Sequence, residues 1–209
     1  MPHQYTNISA ASETIDKRKD NYMLKIITGT AKGRNIKTLE GEATRPTSER
    51  IKEAMFSSIQ FDIENRRVLD IFAGSGQLGL EALSRGAASV MFIDSLREAM
   101  EIVKDNIKTT GLGPAKFLVS DARNYIRKAS GREIFDLVFV DPPYALECCA
   151  DIMRKLADGG MLAKGALVVL ESGTEVINPE DFDDFELTKT KQYGKKTALN
   201  IFFYKGKDN

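Results

Sequence analysis

A chain of 209 residues, 42% hydrophobic and 29% charged, can bury a substantial core and implies one domain with a small appendage. Thirty basic and thirty acidic side chains cancel, so any attraction to nucleic acid must be local, and no apolar run approaches the roughly 20 residues that span a bilayer. No charged-then-apolar signal opens the chain, and a single histidine, His3, leaves no metal-ligand cluster by spacing.

Residues 1–22 are polar and lack apolar periodicity, so they are expected to form a disordered leader ahead of a natural-looking start at Met23. Residues 23–39 alternate weakly around Gly29 and Gly33 and predict a short hairpin. Thr47 or Ser48 is placed to cap a helix reaching about Gln60, with Ile51, Ala54, Met55 and Ile59 on one face. These elements make an expected N-terminal unit over 23–62, followed by a larger domain over 63–209.

From Val68 onward strand and helix alternate, as in a parallel sheet with crossovers. A strand over 68–72 leads through a glycine loop into a helix that ends near Arg85 and is stopped by Gly86. A second strand covers 90–94. Ser95 and Glu98 are then spaced as a capping box for a helix whose face is Leu96, Ala99, Met100, Val103 and Ile107, ending at Gly111. A third strand over 117–120 precedes a helix over 122–128, and the apolar run 135–140 is the fourth strand.

A helix over about 146–156 follows, with the adjacent Cys148 and Cys149 on its packed face. Neighbouring cysteines rarely satisfy disulfide geometry, and a reducing cytoplasm is the simplest compartment for them. A fifth strand over 167–171 and two last strands, near 185–190 and 198–204 about Gly194, complete the pattern; the last two are expected to pair antiparallel. Charge is segregated at this end. Residues 175–186 carry six acids and no base, and residues 187–207 carry six lysines and no acid. A solvated hairpin with an acidic lead-in accounts for that without any function.

Four acids end successive strands: Asp70, Asp94, Asp121 and Asp141. In open α/β sheets ligands bind at that edge. Around Asp70 runs Phe72-Ala73-Gly74-Ser75-Gly76-Gln77-Leu78-Gly79, which contains the G-x-G-x-x-G of dinucleotide enzymes. Asp70 is poorly placed beside an anionic pyrophosphate but well placed beside a cationic ligand such as S-adenosylmethionine. Asp94 can accept ribose hydroxyls from either cofactor, or can simply sit at a helix N-terminus. Asp121 can accept from an adenine amine or cap a helix.

Asp141-Pro142-Pro143-Tyr144 is the sharpest motif. The prolines stop the strand, hold Asp141 extended and leave the Pro142 carbonyl as an acceptor. Two acceptors beside a ring suit a planar base carrying an exocyclic amine. Hydrogen bonds from that amine to Asp141 and Pro142, with Tyr144 stacked on the base, would aim the nitrogen lone pair by positioning and electrostatics rather than by a strong base.

Together these residues resemble the successive motifs of class I S-adenosylmethionine-dependent N-methyltransferases. The stretches Thr28-Gly29-Thr30-Ala31-Lys32-Gly33-Arg34 and Thr44-Arg45-Pro46-Thr47-Ser48-Glu49-Arg50, with the glycine loop through Gly86, narrow the resemblance to bacterial RsmD-type small-subunit ribosomal RNA guanine-N2 methyltransferases, over about residues 23–205. The resemblance implies an α/β, Rossmann-like, mostly parallel seven-stranded sheet with an antiparallel C-terminal hairpin and a small N-terminal hairpin and helix. It implies cofactor contacts from Asp70, the loop from Phe72 to Gln77, Asp94 with Ser95, and Asp121 with Ala122. Ribosomal RNA or a small-subunit assembly intermediate is the implied partner, with no metal. Lys25, Lys32, Arg34, Lys37, Arg45 and Arg50 could hold its backbone, with Arg45 and Thr47 lining the entrance.

Three alternatives remain at this point. An adenine-N6 methyltransferase acting on DNA or RNA shares Asp-Pro-Pro-Tyr but usually needs a target-recognition segment for which little chain is left. An NAD-dependent oxidoreductase rests only on G-x-G-x-x-G with Asp94. A non-catalytic RNA-binding module is disfavoured by the intact motif.

Overall fold

The computed structural model describes residues 24–39, 46–143, 146–194 and 197–207. The leader, Arg45 and Tyr144 lie outside them. Two short strands, β1 (Leu24–Lys25) and β2 (Asn35–Ile36), pair antiparallel and precede helix α1 (Pro46–Ser58). The rest alternates: β3 (Arg67–Asp70), α2 (Gln77–Ser84), β4 (Ser89–Asp94), α3 (Arg97–Thr110), β5 (Ala115–Val119), α4 (Ala122–Ala129), β6 (Phe135–Val140), α5 (Cys149–Asp158) and β7 (Leu162–Ser172). Strands β8 (Phe185–Tyr193) and β9 (Thr197–Tyr204) close the chain.

The large sheet has the order β5-β4-β3-β6-β7-β9-β8. Its first five strands run parallel, and β9 pairs antiparallel with both β7 and β8. The chain winds outward from β3 to β5, then returns to β6 on the other side of β3. That reversal opens a crevice at the carboxyl ends of β3 and β6.

Alternation along the buried strands builds a core on each face. Leu137 and Phe139 of β6 join Leu167 and Val169 of β7 under the N-terminal hairpin, α1, α2 and α3. Val138 and Val140 join Val168 and Leu170 against α4 and α5. The parallel strands read as unbroken apolar runs because both faces are covered.

The N-terminal hairpin is bolted to α2 rather than tethered loosely. The buried Glu81 carboxylate accepts from the Ile27 and Thr28 amides at 2.7 and 3.0 Å and pairs with Arg85 at 2.8 Å. Ser84 donates its hydroxyl to the Thr28 carbonyl and accepts from the Ala31 amide. Only glycine fits at position 29, where φ is +85° and a Cβ would fall 1.8 Å from the Ser84 carbonyl oxygen.

Four local expectations need correction. Neither Thr47 nor Ser48 caps α1, which already starts at Pro46 and so holds both inside its first turn. Ser95 and Glu98 form no capping box: α3 starts at Arg97 with Leu96 as N-cap and no side-chain cap bond. Asp94 competes successfully, its Oδ1 accepting from the Leu96 amide at 2.8 Å, which moves the helix start along the chain. Leu96 consequently leaves the core face and is 57% exposed. Helix α5 begins at Cys149 rather than near 146, because the remote Glu175 carboxylate accepts from the Cys149 and Ala150 amides. Both cysteines are buried and unbridged, and burial pushes their thiols up.

Candidate active site

A cavity of about 740 Å³ occupies the crevice, within the range of small-ligand sites. Asp70, Asp94, Asp121 and Asp141, from four successive strand ends, all line it, together with Phe72, Ala73, Gly74 and Gln77 of the glycine loop. Ser95 and Ala122 line it as well. Ser75 and Gly76 are buried beside the lining, where the Ser75 carbonyl accepts from Asn106 and a Cβ on Gly76 would fall 3.0 Å from Val103 Cγ2.

The acids on the β3–β5 side are anchored by backbone amides. Asp70 is 2% exposed and its Oδ2 accepts from the Gly79 amide at 3.0 Å, clamping the first turn of α2 onto the strand. Asp94 accepts from Gly74 through Oδ2 at 2.9 Å and from Leu96 through Oδ1. Asp121 caps α4 by accepting from the Asn124 amide at 3.0 Å. Asp70 before the glycine loop and Asp94 after it are thus both tied by hydrogen bonds to the segment from Gly74 to Gly79.

On the β6 side, Asp141 is half-buried, Pro142 buried and Pro143 exposed. The Pro143 carbonyl accepts from the Leu146 amide at 2.9 Å, closing the turn that starts at the strand end.

Two charged residues of this cavity escaped the sequence reasoning. Lys52 of α1 is 4% exposed, with its Nζ 3.4 Å from Gln77 Oε1. Burial pushes its ammonium below the ordinary lysine range, and the charges of Glu81, Glu49 and Glu53 pull it partly back. Glu171, at the end of β7, brings a fifth carboxylate. The available signal for Lys52 was its spacing, three residues before the core residue Met55 and next to Ile51. A charge so close to an apolar stripe marks a position that meets the interior.

The basic residues divide. Lys25 and Lys32 are exposed on the N-terminal hairpin. Arg34 donates from Nη1 to the Thr109 and Thr110 carbonyls at 3.1 and 3.0 Å, sealing the C-terminus of α3. Lys37 pairs with Asp105 at 2.6 Å. Arg50 is exposed on the face of α1 away from the cavity. Thr47 lies in the first turn of α1.

The family model described as conserved hypothetical protein 95 matches residues 24–203. The Escherichia coli ribosomal RNA small subunit methyltransferase D is 35% identical over 152 residues, which cover 73% of this chain and 76% of that protein. The chain belongs to the RsmD family. Bacillus subtilis YlbH is 37% identical over 185 residues, 88% of this chain and the whole of that protein. Among solved structures, Escherichia coli yhhF superimposes with a TM-score of 0.78 at 32% identity, covering 88% of this chain and 99% of that one. Membership of the RsmD family sets the NAD-dependent oxidoreductase aside.

Proposed function

We propose that this protein transfers a methyl group from S-adenosylmethionine to the exocyclic N2 amine of a guanine in small-subunit ribosomal RNA, free or in an assembly intermediate. The observation that carries this reading is the union, in one cavity, of Asp141-Pro142-Pro143 at the end of β6 with Asp70, Asp94 and Lys52.

The donor set fits the proposed cofactor. Its sulfonium and amino group are cationic, its ribose offers two hydroxyls, and its amino-acid end has a carboxylate. Carboxylates line the cavity at Asp70 and Asp94, and among its described lining residues Lys52 is the only lysine or arginine. We assign Lys52 to the cofactor carboxylate and Asp94 to the ribose. When bound, S-adenosylmethionine supplies a methyl group already activated on sulfur.

The chain's own residues deal with the acceptor. A guanine amine is a weak nucleophile because its lone pair is delocalised into the ring. Asp141 and the Pro142 carbonyl would accept its two N–H bonds and turn the lone pair toward the cavity, with Tyr144 stacked on the base. This is orientation and electrostatic stabilisation in a partly dry site. The nitrogen becomes acidic on alkylation, so its proton can leave to Asp141 or to water. A base in folded RNA must be splayed out to reach this depth. Lys25, Lys32 and Arg50 are the exposed cations we assign to its backbone, with Arg45 and Thr47 at the entrance.

Incubation with methyl-labelled S-adenosylmethionine and unmodified small-subunit particles, followed by nucleoside analysis, tests the proposal. Label in N2-methylguanosine is expected. Label in N6-methyladenosine would support the adenine alternative, and absence of label from RNA would reject both.

A further inference from the structure

The lysine-rich tail of the sequence gains a place in the fold. Behind α1, on the side away from the cavity, an open groove of about 780 Å³ separates the helix from the tip of the β8–β9 hairpin. Its wall is Arg50, Ala54 and Ser57, a face roughly half a revolution around α1 from Lys52 and Met55 at about 100° per residue. Its floor comes from β8, where strand alternation sets Lys189, Lys191 and Tyr193 on one face. Lys189 reaches the end of α1, donating to Ser58 Oγ at 2.7 Å. The Lys191 ammonium sits 5.1 Å from the Tyr193 ring centre. The Tyr193 hydroxyl is buried and has no hydrogen-bond partner among the described residues.

Register ties this groove to the cavity. Lys191 pairs with Leu199 of β9, which pairs with Glu171 of β7, a lining residue of the cavity. Two strand spacings make about 10 Å, so groove and cavity open on the same edge of the sheet. Strand β8 therefore runs from its acidic lead-in, at the opposite edge, toward its lysines at the ligand edge. At that opposite edge Lys207 is neutralised by Asp158.

We propose that this groove binds the sugar–phosphate backbone beside the base presented to Asp141, with Lys191 and Lys189 joining Arg50 on phosphates. The proposal rests on the RNA-methyltransferase reading. RNA is favoured over a protein partner because, among the described lining residues, cations from two elements face one acid, Glu53, and the one aromatic ring, Tyr193, is half-buried.

The test uses the full chain, a fluorescein-labelled single-stranded RNA oligonucleotide and anisotropy across a potassium chloride series. Calorimetry with S-adenosylmethionine and methyl transfer to small-subunit particles accompany it. Lys189→Glu with Lys191→Glu should weaken RNA binding about tenfold or more and flatten the log–log salt slope by about 0.7 per lost phosphate contact. Cofactor affinity should stay within about twofold of the unaltered protein. The milder Lys191→Gln, which preserves the hairpin, should flatten the slope by about 0.7 alone. An unchanged slope in both variants overturns the proposal. So does a loss of transfer to particles with RNA binding intact, which would assign the groove to a ribosomal protein. Failure of the unaltered protein to methylate any ribosomal RNA would instead contradict the enzymatic reading, because the salt slope is measured independently of turnover.

Discussion

The cavity and the groove share helix α1 but hold their charges differently. In the cavity, Asp70, Asp94 and Asp121 are each fixed by a backbone amide of the loop or helix that follows them, and Lys52 is buried against Gln77. In the groove, Arg50 and Lys191 are exposed side chains at the surface. Fixed charges suit a small ligand whose reacting atom must be placed within a fraction of an ångström. Exposed surface cations suit a polyanion, for which phosphate contacts set position and affinity. One helix thus separates a site built for geometry from a surface built for charge.

Substitutions on either side should therefore leave different signatures. The largest effect is expected from Asp141→Ala. Removing one preorganised acceptor should lower methyl transfer about 100- to 1000-fold, while calorimetry finds S-adenosylmethionine affinity nearly unchanged. An equal loss of cofactor affinity would erase the proposed division between donor and acceptor ends of the cavity.

Lys52→Met comes next. Loss of a charged hydrogen bond, about 1.5–3 kcal/mol, should weaken cofactor binding by roughly 10- to 100-fold. The same change should raise the melting temperature of the cofactor-free protein, because desolvation of the ammonium costs stability in the folded state. The sign with pH follows. The folded value lies below the unfolded one of 10.5, and at pH below both the cost is present in full. As pH rises between the two values the unfolded chain binds more protons, and stability increases. Unfolding free energies measured at neutral and alkaline pH should show this rise in the parent and its loss in Lys52→Met.

Gly79→Ala tests rigidity alone. A Cβ there would lie 2.2 Å from Phe92 Cε1, against a ring fixed in the core. A cost of about 1–3 kcal/mol in urea denaturation is expected, with weaker cofactor binding as Asp70 loses its hold on the loop. The smallest effects separate two neighbouring cations. Arg34→Gln should cost about 0.3–1 kcal/mol by uncapping α3 and leave the RNA salt slope alone. Lys32→Gln should do the reverse.

That last pair shows where sequence reasoning stopped. Lys32 and Arg34 look alike as members of a basic hairpin, yet only the fold reveals that Arg34 faces the α3 carbonyls. The β6 strand was readable to the residue, because an apolar run meets an acid and two prolines at its end. So were the strand-end acids, whose common edge follows from the alternation of strand and helix. Strand β7 begins five residues earlier than its uninterrupted apolar run suggests, since Gly165, at positive φ, and Lys164 break the pattern. The Glu175 cap on α5 and the insertion of β9 between β7 and β8 depend on contacts between distant segments, which periodicity does not carry. Lys52 was hidden for the opposite reason: a lysine on a helix is ordinarily a solvated residue, and only packing of α1 over the cavity buries it.

The most direct measurement is mass mapping of small-subunit ribosomal RNA from cells lacking this protein, complemented with either the intact chain or Asp141→Ala. The account predicts that one N2-methylguanosine disappears, returns with the intact chain and stays absent with Asp141→Ala. A full complement of N2-methylguanosine in the deletion strain, or a missing methyl group on an adenine instead, would contradict it.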